Sequence, residues 1–264
     1  MSQFAAMNFP STYRLRAALK AATVHLVLSL LVAALAAVLV FVLWYPYPYR
    51  DLVGGLKLFL LIVGVDVVCG PLLTTVIFNP AKPRAELTRD LVLVGIIQLA
   101  ALAYGMYSVA LARPVHMVFE VDRLHIVTAA DVQPDDFSKA KPPWNRLPWT
   151  GPSVIGLRDP LNSDDMMKSL DLSLQGNEPS QRPHWWQDFD LSRPVMLKRA
   201  KPMTALRSKH PVESAQIDAA VAKSGHDDAA LLWLPLTSFK TTEWVALIDA
   251  KTALPVAYLP LDGF

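Results

Sequence analysis

Three stretches of this chain are long and apolar enough to leave water altogether. Residues 23–44 and 91–112 are each runs of 22 without Asp, Glu, Lys or Arg. Residues 56–78 form a run of 23, interrupted only by Lys57 at its edge and Asp66 near its centre. A helix needs roughly 20 apolar residues to cross about 30 Å of hydrocarbon. The sequence therefore predicts three transmembrane helices, at about 23–44, 56–78 and 91–112, after an N-terminal segment of residues 1–22. Composition agrees, since 53% hydrophobic residues and a mean hydropathy of +0.30 are too apolar for an ordinary soluble chain of 264 residues. Arg14, Arg16 and Lys20 could open a signal peptide, and Ala34-Leu35-Ala36 resembles its cleavage site. The apolar run continues past Ala36 to Trp44, however, so the first span reads as an uncleaved anchor.

Lys and Arg near the spans set orientation. Arg14, Arg16 and Lys20 precede the first span, and Lys82, Arg84 and Arg89 lie in the 79–90 loop. The 45–55 loop carries only Arg50. The N-terminus and the 79–90 loop are thus expected in the cytoplasm, and residues 113–264 across the membrane, in the periplasm of a Gram-negative cell. Trp44, Tyr45, Tyr47 and Tyr49 follow the first span, where amphipathic rings favour the headgroup layer. They read as an interfacial anchor in the lipid bilayer, more readily than as an aromatic binding box.

Residues 114–264 hold 16 Lys/Arg against 19 Asp/Glu, which argues against nucleic acid as a partner, because phosphate binding needs a cationic surface. Alternation at Met117, Phe119 and Val121 predicts a strand or hairpin within 112–132. Ser163, followed by Asp164 and Asp165, reads as the N-cap of a helix reaching about Gly176. Residues 212–225 read as a helix with Ile217, Ala220 and Val221 on one face and Gly225 as its C-cap. Residues 231–236, 243–249 and 255–261 read as strands, while 177–203 resist assignment. The fold class expected is a membrane protein with three N-terminal transmembrane α-helices followed by a small α+β extracytoplasmic domain.

No catalytic constellation is visible. The six histidines lack HxxxH or HExxH spacing, and no GxSxG, P-loop or GxGxxG motif occurs. Cys69 is the sole cysteine, which rules out an intrachain disulfide. The chain is expected to be no enzyme and to bind neither cofactor nor metal.

Asp66 then stands out, because a charged side chain at mid-membrane costs about 2.5–3.5 kcal/mol on insertion scales. Its helical face also carries Cys69 and Gly70, small enough for close helix approach, and Pro71 predicts a kink beside it. On the third span Gly95, Gln98, Ala101, Gly105 and Ser108 share one stripe. Three readings remain open. Asp66 could be protonated and bond Gln98 within the bundle, dock a helix of another protein, or belong to a proton path with His25.

WYPYPYRDLVGG (44–55), VGVDVVCGPLLT (63–74), FNPAKPRAELTRDL (78–91), QLAALAYG (98–105) and ARPVHMVFEVDR (112–123) occur in this order and spacing. In them the chain resembles the TfpX/TfpZ-type type IV pilin accessory proteins, continuously from about Tyr13 to Val132 and weakly again over the closing 243–264. The resemblance implies an inner-membrane, chaperone-like protein that helps a cognate type IV pilin be stabilised or assembled. It implies contact with the pilin's transmembrane helix and its periplasmic head. The family supplies no catalytic residues to carry over. Asp66, Cys69, Gly70, Pro71, Gln98 and Gly105 are the candidate intramembrane contacts. A membrane-tethered periplasmic sensor or receptor subunit is the alternative, weakened by the short cytoplasmic segments.

Overall fold

A computed structural model describes residues 11–264. Of the expected cytoplasmic segment, residues 1–10 lie outside the described residues. The chain divides into two compact units. One consists of Met1–Val42 and Gly55–Ala110; the other joins Leu43–Gly54 to Leu111–Phe264.

The first unit is helical. Helix α1 spans Ser11–Val38 and runs on as a π-helical stretch over Leu39–Trp44. The short helix α2 (Tyr49–Leu52) lies in the inserted segment of the second unit. Helix α3 spans Gly55–Ile77, and α4 spans Arg84–Leu111. Three helices, Thr12–Trp44, Gly55–Ile77 and Arg84–Leu111, are long and apolar enough to cross a membrane, as expected of a membrane protein. The first and third begin earlier than the apolar runs, because a helix once nucleated continues through polar residues of good propensity such as Arg and Glu. Leu35, Leu61, Val76 and Ile96 point outward, a distribution that hydrocarbon surroundings tolerate and water would not.

The second unit is built on a mixed eight-stranded sheet. Its strands are β1 (Pro114–Glu120), β2 (Arg123–Thr128), β3 (Ser153–Leu157), β4 (Trp186–Gln187), β5 (Lys201–Pro202), β6 (Leu231–Thr237), β7 (Trp244–Asp249) and β8 (Pro255–Leu259). The order is β4-β3-β1-β2-β6-β7-β8, with β5 added to β6. β1 pairs parallel with β3 and β2 parallel with β6; the other pairings are antiparallel. The hairpin near 117–127 and the three closing strands were legible in the sequence. β3, β4 and β5 were not.

Four helices complete this unit: α5 (Ser163–Leu174), α6 (Phe189–Arg199), α7 (Met203–Lys209) and α8 (Ser214–Ser224). Asn162, one residue before the expected Ser163, caps α5 by accepting from the Asp165 N–H at 2.9 Å. Gly225 ends α8 at φ +71, a left-handed conformation that a Cβ would strain. Helices α7 and α8 place Met203, Leu206 and Ile217 on Leu231, Trp233, Val245 and Leu247 of the sheet. A second core gathers Val115, Val118, Val127, Ile155 and Trp186 around β1, β2 and β3.

The segment Leu43–Gly54 belongs to this core. Trp44, Tyr45, Tyr49 and Leu52 are buried, and only Tyr47 of the four aromatic residues assigned to the headgroup layer is exposed. The Tyr49 ring packs 6.4 Å from that of Tyr258, and Trp44 meets the edge of Trp149 at 5.6 Å. The Leu52 carbonyl accepts from Ser238 Oγ at 2.8 Å, and the Asp51 carbonyl from Lys240 Nζ at 2.9 Å. Burial holds the phenols of Tyr45 and Tyr49 well above their usual range, so both stay neutral. Tyr47 lies between two cations, with Arg50 and Lys223 at 5.8 and 5.3 Å from its ring centre.

Candidate functional site

His25, Ser29, Asp66, Thr74 and Gln98 of the helical unit line one cleft. Asp66 stands midway along α3, between Gly55 and Ile77. Pro71, five residues further on, has no N–H for the carbonyl of Val67, which opens the helix ladder beside Asp66. On α4, Gln98 lies over Gly70, so close that a Cβ at Gly70 would collide with the Gln98 amide. From there Gln98 Nε2 donates to the backbone carbonyl of Asp66 at 3.2 Å. One turn or two along the same pair of helices, a Cβ at Gly105 would come within 2.5 Å of Ile62 Cγ2. Each of the two glycines thus receives one side chain of the other helix.

Gln98 therefore serves the Asp66 carbonyl, not its carboxyl. The carboxyl faces a cleft of about 500 Å³ whose walls are mostly α1 (Val24, Leu28, Val32) and α4 (Leu91, Gly95, Leu99). His25 and Thr74 line the same cleft, and His25 Nδ1 shares a 2.6 Å hydrogen bond with Thr74 Oγ1. Asp66 also borders a smaller hollow of about 260 Å³ with Ile62, Ala101, Gly105 and Ser108. Among the described residues no group of three or more His, Cys, Asp or Glu could hold a metal ion.

The structure thus brings Asp66, Gly70, Gln98 and Gly105 together, with Pro71 in the helix between them. It sets Cys69 apart, on an exposed face of α3. Cys69 is about 100° around the helix from Gly70, so only the glycine faces α4. The sequence reading missed Thr74 and, apart from His25, gave α1 no part in the site. Thr74 lies 49 residues from His25, and no local spacing pairs them. Chemically the cleft pairs one hydroxyl, that of Thr74, with the His25 imidazole. It offers an aliphatic trough with an acid, an amide and an imidazole along it, suited to an apolar helix that carries a hydrogen-bonding group of its own.

A family model described as "Fimbrial assembly protein FimB" matches residues 13–54, which form α1 and the segment through Gly54 that enters the second unit's core. The chain is 36% identical to the "Fimbrial assembly protein, serogroup I" of Dichelobacter nodosus over 248 residues, 94% of this chain and 96% of that protein. It is 35% identical to the serogroup E1 protein of the same organism, over the same shares of both chains. The protein of serogroups C1 and C2 is 49% identical over 123 residues, 47% of this chain and 94% of its own. No solved structure matches the chain.

Proposed function

The chain belongs to the fimbrial assembly protein family, and from that membership we propose that it is an accessory protein of type IV pilus assembly. It acts as a chaperone-like partner of its cognate pilin, not as an enzyme, in the manner of the TfpX/TfpZ-type proteins whose motifs it shares. It resides in the bacterial inner membrane. Its N-terminus and the 79–90 loop face the cytoplasm, in keeping with their Lys/Arg content, and its α/β unit faces the periplasm.

The observation that carries this reading is the cleft containing Asp66. A carboxyl at mid-membrane is costly unless it meets a polar partner; among the described residues no hydrogen bond reaches the Asp66 carboxyl, since Gln98 is spent on the backbone and His25 acts on the acid only through its charge. A pilin subunit stored in the membrane on its apolar helix would fill the trough between α1 and α4. A hydrogen-bonding group on that helix would satisfy the acid.

The test is recovery of pilin with this protein in mild detergent from cells producing both. Asp66→Leu should lower pilin recovery at least about 5-fold, roughly 1 kcal/mol of affinity, without lowering the level of the protein itself. Equal recovery with the variant removes the cleft from the interaction. Loss of the protein itself assigns Asp66 to the stability of the three-helix bundle instead.

A further inference from the structure

Helix α5 leaves its apolar stripe uncovered. A surface helix normally buries its apolar stripe and shows water its polar one. In α5 the side facing the domain is polar. Asp165 Oδ2 accepts from Arg158 Nη1 at 2.7 Å and from the Leu161 N–H at 3.0 Å. Ser169 presents its Oγ and carbonyl to Arg182 Nη2 at 3.0 and 3.2 Å, and Ser173 Oγ accepts from the same nitrogen at 3.3 Å. Arg182 is 1% exposed, and these serines bond its Nη2 while its Nε has no partner. Next to these serines on the helix surface come Met166, Met167, Leu170 and Leu174, exposed by 62, 58, 52 and 80%. Met166, Leu170 and Leu174, at i, i+4 and i+8, make one continuous stripe with Met167 at its edge, a contiguous exposed apolar surface of the kind that marks interaction sites.

Met166 and Leu170 of the stripe, with Ser169 and Ser173, form one side of a groove of about 660 Å³ in the α/β unit. Met166 and Leu170 face Glu120, His125 and Glu178 across it. At its end Val121 lies at the turn of the β1–β2 hairpin with φ +59, a conformation that a β-branched residue adopts only under strain, and it is exposed. Burial lowers the pKa of His125, leaving that ring neutral. Arg123, also in the groove, is already engaged by Asp122 at 3.0 Å and by the Phe264 ring at 4.9 Å. Among the described residues the groove thus holds two carboxyl groups, Glu120 and Glu178, against the one cation Arg123, and burial raises the pKa of Glu120. Glu120 accepts from the Ser180 N–H and Oγ at 3.3 and 3.0 Å, while Glu178 is exposed on the rim. Asp164 and Asp171 are exposed on α5. Acids at these places oppose seating on an anionic bilayer, for which interfacial helices carry Lys and Arg.

We propose that the α5 stripe and the adjoining acidic groove dock a segment of the pilin's extracytoplasmic part, apolar with a neighbouring Lys or Arg. Methionines suit such a surface because their flexible thioethers adapt to differing apolar side chains. The inference rests on the reading of the protein as a pilin accessory factor and adds the surface that meets the pilin head. It does not depend on the intramembrane cleft.

The experiment uses the full-length chain with the pilin in cells. A photoreactive amino acid at Leu170, and one at Val212 as an exposed apolar control remote in sequence from the groove, are irradiated before detergent extraction. The proposal expects a pilin adduct from position 170 and none from 212. In parallel, the triple variant Met166→Ser, Leu170→Ser, Glu178→Lys should recover at least about 5-fold less pilin, with its own level and tryptophan emission unchanged. An adduct from 170 to a second copy of this chain, or to lipid alone, overturns the proposal, as does full pilin recovery by the triple variant. If even the unaltered protein recovers no pilin, the accessory reading falls with it, which separates the two failures.

Discussion

Acidification from about pH 7.5 to about pH 5 should remove about 2 kcal/mol of stability from the α/β unit through His116 alone. The ring is buried at 3% exposure, 4.6 Å from the Trp186 ring and 6.0 Å from Trp144. Its Nδ1 shares a 2.9 Å hydrogen bond with Ser153 Oγ, and its Nε2 has no partner. Burial disfavours the imidazolium and lowers the pKa from 6.5 to about 4, although the Ser153 bond favours protonation. In the unfolded chain the ring takes up its proton near pH 6.5, so stability is full above that value. It is lost as pH falls through 6.5 towards 4, reaching about 3 kcal/mol when both states are protonated. His125 and His184 are also lowered by burial and act in the same direction, so the informative quantity is a difference. Urea unfolding of the full chain in mild detergent, followed by tryptophan emission, should show the wild type losing about 2 kcal/mol more than His116→Gln over this pH change. Equal losses in the two proteins would refute a buried neutral His116.

Three further outcomes follow from packing. Gly105→Ala sets a Cβ 2.5 Å from Ile62 Cγ2 and should cost about 1–3 kcal/mol, seen as a lower thermal midpoint in detergent. Adding Ile62→Ala should restore much of it, and an unchanged midpoint in the single variant would contradict the α3–α4 contact. Tyr49→Ala empties a buried ring site against Tyr258 and should cost the α/β unit about 3–5 kcal/mol in urea unfolding. A loss of only a few tenths would show that Leu43–Gly54 is no part of that core. Gly225→Ala, at φ +71, should cost about 1–2 kcal/mol by the same assay, against no measurable loss if the C-cap is not left-handed.

The membrane spans were readable because hydropathy over 20 residues needs no tertiary information, and α8 because a glycine cap closes an amphipathic pattern. Strands β4 and β5 contain two residues each and exist only through their neighbours β3 and β6. Helix α6 was hidden by Pro194 inside it. Helix α5 was found from its acidic first turn, but which side it buries is decided by Arg182, remote in sequence from the pattern. The aromatic run 44–49 carries a composition equally suited to a headgroup layer and to a core, and its burial against β8 appears in no local spacing. At the candidate site, Asp66, Gly70 and Gln98 were legible because polar and small residues are conspicuous in an apolar helix. The His25–Thr74 pair and the α1 wall depend on helix packing that the sequence does not display.

On the proposed reading, the cleft between α1 and α4 receives another protein's membrane helix. Photoreactive side chains at Leu28 and Leu99 line that cleft, whereas Leu72 is exposed on α3 outside it. Irradiation in cells making both proteins should yield a pilin adduct from 28 and from 99 and none from 72. Adducts to lipid alone at all three positions, or equal pilin capture from 72, would contradict the claim.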